Sequence, residues 1–352
     1  MDRRSQALNQ WVKSLSDWQI DNFRMISGDA SFRRYFRFCS HLQSFIAVDA
    51  PPETEKNAQF VGLSSALIKL GVSVPKVLDH DMTHGFLLIE DFGDDLFSKA
   101  ITDSQKAPSL YQSALSLLTK LQKLPHLNLS EEKFELPEYN EQLLAIESDL
   151  FTHWLLKVHL GLSLSDLQQK LIVRVQHYLA QIFFAQPQVG VHRDYHSRNL
   201  LLLAGDETGQ TQIGVIDFQD AVKGPLTYDM VSLLRDCYVS WPEEFVEQQL
   251  RQIHGAYYQQ YDWTTFKHWF DCTGIQRHLK AAGIFARLSH RDGKAGYLQD
   301  IPRALDYVVT VGRALSRSPQ LDWFAKFIDF IEEIVLPELQ RSEIKKRRSV
   351  KG

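Results

Sequence analysis

The hydrophobic period of the sequence changes near residue 90, and this change limits the folds that the chain can adopt. Before that point, short runs rich in aromatic and β-branched side chains predict strands. The predicted strands are 26–38 (two strands around a Ser-Gly-Asp turn), 44–49, 74–79 and 85–90. Apolar residues at helical spacing predict helices only over 4–18 and 54–70 in this part of the chain.

Beyond residue 95 the pattern becomes helical, with two short apolar strands at 200–203 and 212–217. The predicted helices are 105–124, 138–160, 163–185, 226–239, 243–260, 263–289, 300–315 and 320–342. The segment Asp91-Phe92-Gly93-Asp94-Asp95 has the composition of a hinge. We therefore predict an α+β fold of two lobes, with a ligand cleft between them. The predicted parts are a small β-rich lobe (1–90), the hinge (91–95), a larger helical lobe (96–342) and a basic flexible tail (343–352).

Composition excludes several classes of protein. A net charge of −4 provides no overall field for nucleic acid or an anionic membrane. No run approaches 18 apolar residues, and the N-terminal segment has no apolar core of a signal peptide. Cys39, Cys237 and Cys272 show no metal-binding spacing and are interpreted as free thiols. We expect a cytoplasmic protein that has no nucleic-acid or membrane partner.

The segment GVHRDYHSRNLLL, residues 190–202, concentrates polar chemistry between two apolar runs. His192, Asp194 and Asn199 follow the spacing H-x-D-x-x-x-x-N, and an apolar strand begins directly after them. A second apolar strand ends at Asp217, so a hairpin can bring Asp194, Asn199 and Asp217 together. Carboxylate and amide oxygens suit Mg²⁺, which keeps further positions for water and phosphate. A nearby carboxylate can orient a hydroxyl group and accept its proton.

HRDYHSRN followed by IDFQD resembles the catalytic and metal loops of the protein-kinase-like superfamily. The match is closest to the aminoglycoside phosphotransferase family, and GPLTYDMVSLLRD, in which Asp229 would be a buried acid, supports that branch. The segments GDASFRRYFR, IAVDAPPE, GFLLIEDFGD and QRHLKAAGIFARLSHRDGKAGYL further resemble bacterial anomeric kinases of N-acetylmuramate and N-acetylglucosamine. The resemblance implies a small amino sugar as the acceptor, with ATP and Mg²⁺ as cofactors.

The resemblance also assigns roles to particular residues. Asp194 matches the catalytic base, and Asn199 and Asp217 match the Mg²⁺ ligands. The turn of the nucleotide-clamping loop, where backbone N–H groups approach phosphates, matches Ser27, Gly28, Asp29, Ala30 and Ser31. The hinge whose backbone would bind the adenine edge matches Glu90, Asp91 and Phe92.

The sequence departs from the family pattern at the strand that normally carries a phosphate-binding lysine. Asp49 falls at that position, and a carboxylate there would repel ATP phosphates unless Mg²⁺ or an arginine intervened. We hypothesise that Arg33, Arg34 or Arg37 supplies the missing charge, because guanidinium binds phosphate bidentately. Strand alternation places Arg33 and Arg37 on one face and Arg34 on the other.

Other polar residues keep two interpretations. His192 is either catalytic or structural, and the resemblance favours the structural role, in which it packs in its loop and bonds to the backbone near the metal loop. His196 and Arg198 lie between the base and the metal ligand and either contact the substrate or face solvent. Arg277 and Lys280 share a helix face with Arg287. That face is either solvated or directed at the carboxylate of N-acetylmuramate, which makes Arg277 and Lys280 substrate candidates.

Two alternative functions remain at this stage. The first is a kinase for another small acceptor, such as an aminoglycoside, choline or homoserine. The second is a pseudokinase that binds nucleotide without catalysis, which the carboxylate of Asp49 favours and the complete set Asp194, Asn199 and Asp217 disfavours.

Overall fold

The structure is a computed structural model that describes residues 2–15, 20–28, 32–129, 135–203, 205 and 212–349. The chain divides into two units. The first unit contains Met1–Pro137 and His192–Val222, and the second contains Glu138–Val191 and Lys223–Gly352. The lobe limits expected from the sequence stay a prediction.

An antiparallel sheet of five strands, in the order β1-β2-β3-β5-β4, forms the centre of the first unit. Its strands are β1 (Asp21–Gly28), β2 (Arg34–Ser40), β3 (Gln43–Asp49), β4 (Val77–Asp81) and β5 (Phe86–Glu90). The predicted strands therefore form, but Ser27 and Gly28, which were predicted as part of a turn, end β1, and residues 29–31 lie outside the described residues. The two-residue turn between β2 and β3 has positive φ at both His41 and Leu42, as a tight hairpin requires.

The two faces of this sheet differ in what they contact. Helix α1 (Arg3–Leu15) buries Leu8 and Val12 against Phe36, Ala47 and other residues of one face. Because side chains alternate along a strand, Ile46 points to the opposite face, where it lines a cavity. Helix α2 (Asn57–Lys69) contributes Phe60 to the same cavity.

The first unit also contains a hairpin from much later in the chain. Strands β7 (Leu200–Leu203) and β8 (Gln212–Val215) pair antiparallel. Val215 N–H donates to Ser73 O at 2.8 Å, and Leu202 N–H donates to Asp95 O at 2.8 Å. The hairpin is thereby hydrogen-bonded to the segment after α2 and to the predicted hinge. The helices of this unit that follow the hinge are α3 (Phe97–Ala100), α4 (Ala107–Leu121) and the short 3₁₀ turn Leu124–His126.

The second unit is built around α9 (Trp263–Asp292), a helix of 30 residues with many buried side chains. Asp262 caps its first turn, and Gly293, with φ +68°, ends it in the left-handed conformation. The other helices are α5 (Glu141–Leu150), α6 (Asp166–Ala185), α7 (Tyr228–Leu234), α8 (Glu243–Tyr257), α10 (Ile301–Leu315), α11 (Ala325–Phe330) and α12 (Leu336–Ser349). Shorter helical segments are Phe151–His159 and Ile331–Val335, which are π-helical, and the 3₁₀ turns Ala295–Asp300 and Pro319–Phe324.

Several elements differ from the sequence-based expectation. Strands β6 (Gln188–Val191) and β9 (Val222–Pro225) pair with each other and were not predicted. The helix predicted over 138–160 changes to π-helical geometry at Phe151, and the one predicted over 320–342 is interrupted in the same way at Ile331. Helix α12 continues to Ser349, within the segment predicted as a tail, and 350–352 lie outside the described residues.

Candidate active site

The loop between β6 and β7 carries Asp194 and Asn199 in a compact turn. His196 N–H donates to Asp194 O, and Asn199 N–H donates to His196 O, both at 2.9 Å. The Asn199 side-chain amide donates to Asp194 O at 3.1 Å and lies 3.3 Å from Asp217 Oδ2. The three residues predicted from spacing are thus together within the first unit.

Asp217 lies directly after β8, at the start of the predicted metal loop. Ile216 N–H donates to Asn199 O at 3.0 Å, which joins this loop to the preceding one. The Gln219 amide donates to Asp217 Oδ1 at 2.7 Å. The carboxylate of Asp217 and the amide of Asn199 are therefore held side by side, and both carry hard oxygen atoms.

His192 connects these two loops from inside the protein. Its ring is fully buried, Nε2 lies 3.0 Å from Ile216 O, and Nδ1 lies 3.3 Å from Asp194 N. A carbonyl oxygen only accepts and a backbone N–H only donates, so Nε2 carries the proton and Nδ1 accepts. The ring is neutral in this arrangement, which confirms the structural interpretation of His192. Tyr195 adds a further anchor, because its buried hydroxyl donates to Ala114 O at 2.8 Å.

A cavity of about 530 Å³ adjoins these loops within the first unit. The sheet, α2, the hinge segment and the metal loop all contribute to its walls. Its lining includes Tyr35, Arg37, Ile46, Phe60, Ile89, Glu90, Asp91, Phe92, Gly93, Asp94, Lys99, Asn199, Ile216, Asp217 and Phe218. The predicted hinge and the predicted metal ligands therefore face one space.

The hinge segment packs closely on the β7–β8 hairpin. A Cβ atom placed on Gly214 would lie 2.7 Å from the Phe92 ring, so only glycine lets the ring approach β8 this closely. At the start of the hinge, the Glu90 carboxylate accepts from Lys76 N–H at 3.1 Å.

The clamping turn is described only in part. Ser27 and Gly28 end β1, opposite Tyr35 and Arg34 of β2. Asp29, Ala30 and Ser31 lie outside the described residues.

Asp49 does not face the cavity, which corrects the expected repulsion of phosphates. Its buried carboxylate accepts from Arg4 Nε at 2.9 Å and from Arg34 Nε at 3.0 Å. Arg4 belongs to α1, and Ala47, two residues earlier on the strand, packs in the cluster below that helix. Asp49 is therefore a buried anion between two guanidinium groups on the α1 face of the sheet.

The three candidate arginines have different surroundings. Arg34 is paired with Asp49 and with Asp2, and Arg37 is paired with Asp91 and Asp94. The side chain of Arg33 is only 1% exposed, and its Nε lies 3.3 Å from Glu55 Oε2. Its guanidinium lies 5.2 Å from the centre of the Phe60 ring, and that ring lies 4.8 Å from the ring of Phe218.

The remaining candidates are placed as follows. His196 is half-buried and Arg198 is exposed. Asp229 is buried, in agreement with the resemblance. Arg277 and Lys280 are buried within the second unit, so the solvated alternative does not hold for these two residues, whereas Arg287 on the same helix face is half-buried. Lys280 Nζ lies 2.9 Å from Glu147 Oε1 and donates to the hydroxyl of Tyr228 at 2.9 Å.

The sequence did not predict the acidic partners of two of these cations, which are Glu55 for Arg33 and Glu147 for Lys280. Glu55 also accepts from Phe32 N–H at 3.1 Å, so it joins the base of the clamping turn to the start of α2. Glu147 lies more than a hundred residues from Lys280 and also accepts from Tyr139. Only a helical period that placed Glu147 on the apolar face of α5 could have indicated its burial.

This fold and this site define a class of protein, the small-molecule phosphotransferases with a protein-kinase-like fold. The chain matches the Phosphotransferase enzyme family over residues 22–269, and it belongs to that family. The chain is therefore an enzyme that transfers phosphoryl groups. No helix among the described residues is long and apolar enough to cross a membrane.

Similar proteins agree with this assignment. A protein of Pseudomonas putida, named N-acetylmuramate/N-acetylglucosamine kinase, is 39% identical over 91% of this chain and 94% of its own length. A protein of Neisseria meningitidis with the same name is 36% identical over 88% and 92%. Among solved structures, an ethanolamine kinase of Plasmodium vivax has a TM-score of 0.63 at 14% identity, covering 86% of this chain and 87% of its own. The GDP complex of an aminoglycoside 2'-phosphotransferase has a TM-score of 0.62 at 13% identity, covering 86% and 98%. These two structures support the fold alone.

Proposed function

We propose that the chain transfers the γ-phosphoryl group of ATP to the anomeric hydroxyl of N-acetylmuramate and N-acetylglucosamine, in cell-wall sugar recycling in the cytoplasm. The observation that carries the acceptor is the shared name of relatives that are 36–39% identical over about nine tenths of the chain. The observation that supports the chemistry is the juxtaposition of Asp194, Asn199 and Asp217.

Asp194 is the proposed catalytic base. Its backbone is fixed by the amide of Asn199 and by His196, so the carboxylate starts from a defined position. It orients the acceptor hydroxyl and accepts its proton as the oxygen attacks phosphorus. Most of the rate in such a transfer comes from positioning and electrostatic stabilisation. The hydrogen bonds that hold this loop are therefore part of the catalytic arrangement.

Asn199 and Asp217 are the proposed Mg²⁺ ligands, and their donor atoms fit that ion. They offer one amide and one carboxylate group, a set that leaves positions for water and phosphate oxygens. When bound, Mg²⁺ neutralises charge on the β- and γ-phosphates. The two side chains are already adjacent, with the Asn199 amide nitrogen 3.3 Å from Asp217 Oδ2, and the amide oxygen of Asn199 and the carboxylate of Asp217 would hold the ion.

We further propose that the backbone of Glu90, Asp91 and Phe92 receives the adenine edge and that Ser27–Ser31 close over the phosphates. Arg33 is the proposed phosphate-binding cation. Arg34 pairs with Asp49 on the α1 face and Arg37 with two hinge carboxylates, whereas Arg33 lies against Phe60, which lines the cavity. Arg33, held by its ion pair with Glu55, then replaces the missing strand lysine as the cation that binds phosphate.

Arg277 and Lys280 remain substrate candidates, and His196 and Arg198 remain candidates at the catalytic loop. Lys280 is engaged with Glu147, which lowers the net charge that it can offer to a sugar carboxylate. If the cluster recognises the lactyl group, Arg277→Met raises the KM for N-acetylmuramate more than that for N-acetylglucosamine.

Acceptor-dependent release of ADP tests the proposal. Purified protein with MgATP is supplied with N-acetylmuramate, N-acetylglucosamine, kanamycin, choline or homoserine. We expect turnover with the two N-acetyl sugars and a loss of at least about 10³-fold in Asp194→Ala, since the variant has no base and no hydroxyl-orienting group. Phosphorus NMR of the product then distinguishes the anomeric position from others. Turnover with a different acceptor only would contradict the proposed substrate and preserve the chemistry.

A further inference from the structure

Arg37 makes an unusually complete set of contacts with the hinge segment. It extends from β2 along the cavity and is only 12% exposed. Its Nε lies 2.6 Å and its Nη2 2.8 Å from the two carboxylate oxygens of Asp91. Its Nη1 lies 2.6 Å from Asp94 Oδ2, and Nη2 also donates to Gly93 O at 3.2 Å. One guanidinium therefore contacts three of the four residues from Asp91 to Asp94.

The charges in this group determine what Arg37 can do. The hydrogen bonds that the guanidinium donates to Asp94 and Asp91 hold its pKa above the usual range. Two carboxylates surround one cation, so the group as a whole is negative. A cation in this state offers no attraction to a nucleotide phosphate. Its role must lie in the hinge that it contacts.

Phe92 and Asp95 contact the β7–β8 hairpin, but the turn at Gly93 has no packing of its own. Gly93 has φ +78°, and a Cβ atom added to it would meet nothing within 4 Å. Asp91 makes the local connections that orient the turn, since its carboxylate accepts from Gly93 N–H at 2.9 Å and from the hydroxyl of Ser44. Arg37 binds that same carboxylate bidentately, and such a pair fixes direction as well as distance. The guanidinium therefore attaches the turn to β2.

We propose that Arg37 is a positioning residue that holds Asp91–Asp94 in the conformation that binds the nucleotide base. The inference rests on the proposed function, because it assumes that the cavity receives a purine nucleotide. Without the guanidinium the hinge samples several conformations, and the apparent affinity falls with the fraction that is competent to bind. Removal of the guanidinium weakens the binding of the nucleotide base and leaves the phosphoryl transfer step unchanged.

The test compares Arg37→Met and Arg37→Lys with the wild type in MgADP affinity by calorimetry and in steady-state kinetics. For Arg37→Met we expect MgADP affinity to fall about 10- to 100-fold and the KM for ATP to rise in parallel. We expect kcat at saturating ATP and the KM for the acceptor sugar to stay within about twofold. Arg37→Lys recovers only part of the loss, because an ammonium cannot bind a carboxylate bidentately. Arg34→Met is the matched control, since it removes a neighbouring guanidinium from the opposite face of β2.

A further variant removes only one of the two carboxylates that contact Arg37. Asp94→Asn leaves Arg37 paired with Asp91 and removes an exposed carboxylate, so a smaller loss of MgADP affinity is expected. Binding of MgADP requires no acceptor, so a protein that binds MgADP in an Arg37-dependent manner but phosphorylates no tested sugar would contradict only the proposed function. Unchanged MgADP affinity in folded Arg37→Met protein, or a fall in kcat without a change in that affinity, would overturn the role of Arg37.

Discussion

Two residues at the active site hold backbone conformations that L-amino acids seldom adopt. Arg193, beside the proposed base Asp194, has φ +77°, and Asp217, a proposed Mg²⁺ ligand, has φ +64°. Such conformations cost roughly 1–3 kcal/mol each and persist only where the surroundings impose them. Here the surroundings are the bonds from Ile216 N–H to Asn199 O and from the His192 ring to Ile216 O. The strain therefore holds the Asp217 carboxylate where the strand alone would not place it.

Arg33 gives a prediction at the scale of a single residue. Arg33→Met retains an apolar chain on Phe60 but removes the cation, so we expect MgATP and MgADP to bind about 10- to 100-fold more weakly. Adenosine, which has no phosphate, should bind as it does to the wild type. Calorimetry with the three ligands measures the difference. Glu55 is only 10% exposed, so the loss of its partner lowers the free energy of unfolding by about 3–5 kcal/mol. The double variant Arg33→Met/Glu55→Gln removes the unpaired charge and is therefore measured beside the single variant.

Arg34→Met is again the matched control, because Arg34 lies on the α1 face of the sheet. The substitution leaves Asp49 paired with Arg4. It should change the affinity for MgADP by less than about twofold. A larger effect in Arg34→Met than in Arg33→Met would show that the phosphate-binding cation has been assigned to the wrong face of β2.

The sequence correctly predicted that Asp194, Asn199 and Asp217 lie together, because their spacing is local, and it missed the contacts whose partners are remote in the chain. Asp194 and Asn199 share one loop, and one short hairpin brings Asp217 to them. The face on which Asp49 lies depends on the register of β3, and a shift of one residue reverses it. Glu55 and Glu147 meet their cations only in the folded chain, and although the helical period could have indicated the burial of Glu147, no local pattern identifies the cation that either residue contacts.

At the scale of elements, the contact between α9 and the end of α5 depends on a glycine. A Cβ atom on Gly283 would lie 2.3 Å from the carbonyl carbon of Leu150 and 2.6 Å from Phe151 N. Both neighbours are backbone atoms and cannot move aside as a flexible side chain can. We expect Gly283→Ala to lower the free energy of unfolding by at least about 1–3 kcal/mol, measured by urea denaturation.

Gly255→Ala is the control for this prediction. Gly255 lies in α8, is exposed, and has nothing within 4 Å of an added Cβ atom. Alanine there should raise the free energy of unfolding by about 0.5–1 kcal/mol, because it restricts the unfolded chain and favours the helix. If both substitutions stabilised the protein, α9 and α5 would not approach as closely as the structure has them.

The elements were predicted best where their pattern was long or strongly alternating. All five strands of the sheet were predicted, although β1 begins at Asp21 and not at residue 26. The helices that follow the prediction within a few residues at each end are α1, α2, α4, α6, α8, α9 and α10. Strands β6 and β9 have four residues each, and β9 contains Lys223 and Pro225, which weakens its strand signal. The π-helical segments have no periodicity that separates them from α-helix over a few residues.

At the scale of the whole molecule, the chain leaves its first unit after residue 137 and returns to it at residue 192. The bond from Leu202 N–H to Asp95 O connects the β7–β8 hairpin to the hinge, and the bond from Ser98 N–H to Ser197 O connects α3 to the loop before β7. The change from strand to helical periodicity near the hinge is visible in the sequence. The return of residues 192–222 to the first unit is not. The active-site loops are thus supported by the same unit as the sheet.

The stability of the second unit should depend on pH through His278. Its ring is fully buried, with Nδ1 2.6 Å from Gly274 O and Nε2 2.8 Å from Arg235 O. Burial, and next the charge of Arg277, lower the pKa of His278 to about 3 and outweigh the two carbonyl oxygens, which favour the protonated ring and raise the pKa. In the unfolded chain its pKa is about 6.5. Between these values the unfolded chain binds a proton that the native protein does not, so stability falls as the pH falls below about 6.5.

The expected loss approaches about 1.4 kcal/mol per pH unit, or about 2 kcal/mol between pH 6.5 and 5. Burial also lowers the pKa of His268, which adds to the loss in the same direction. Urea denaturation followed by tryptophan fluorescence measures it, because Trp154, Trp241, Trp263, Trp269 and Trp323 all belong to the second unit. His278→Gln removes the titrating ring and should reduce the slope of stability against pH by about one proton. If the slope of stability against pH were the same in that variant and in the wild type, His278 would bind protons equally in the native and unfolded states. Other groups would then cause the acid sensitivity.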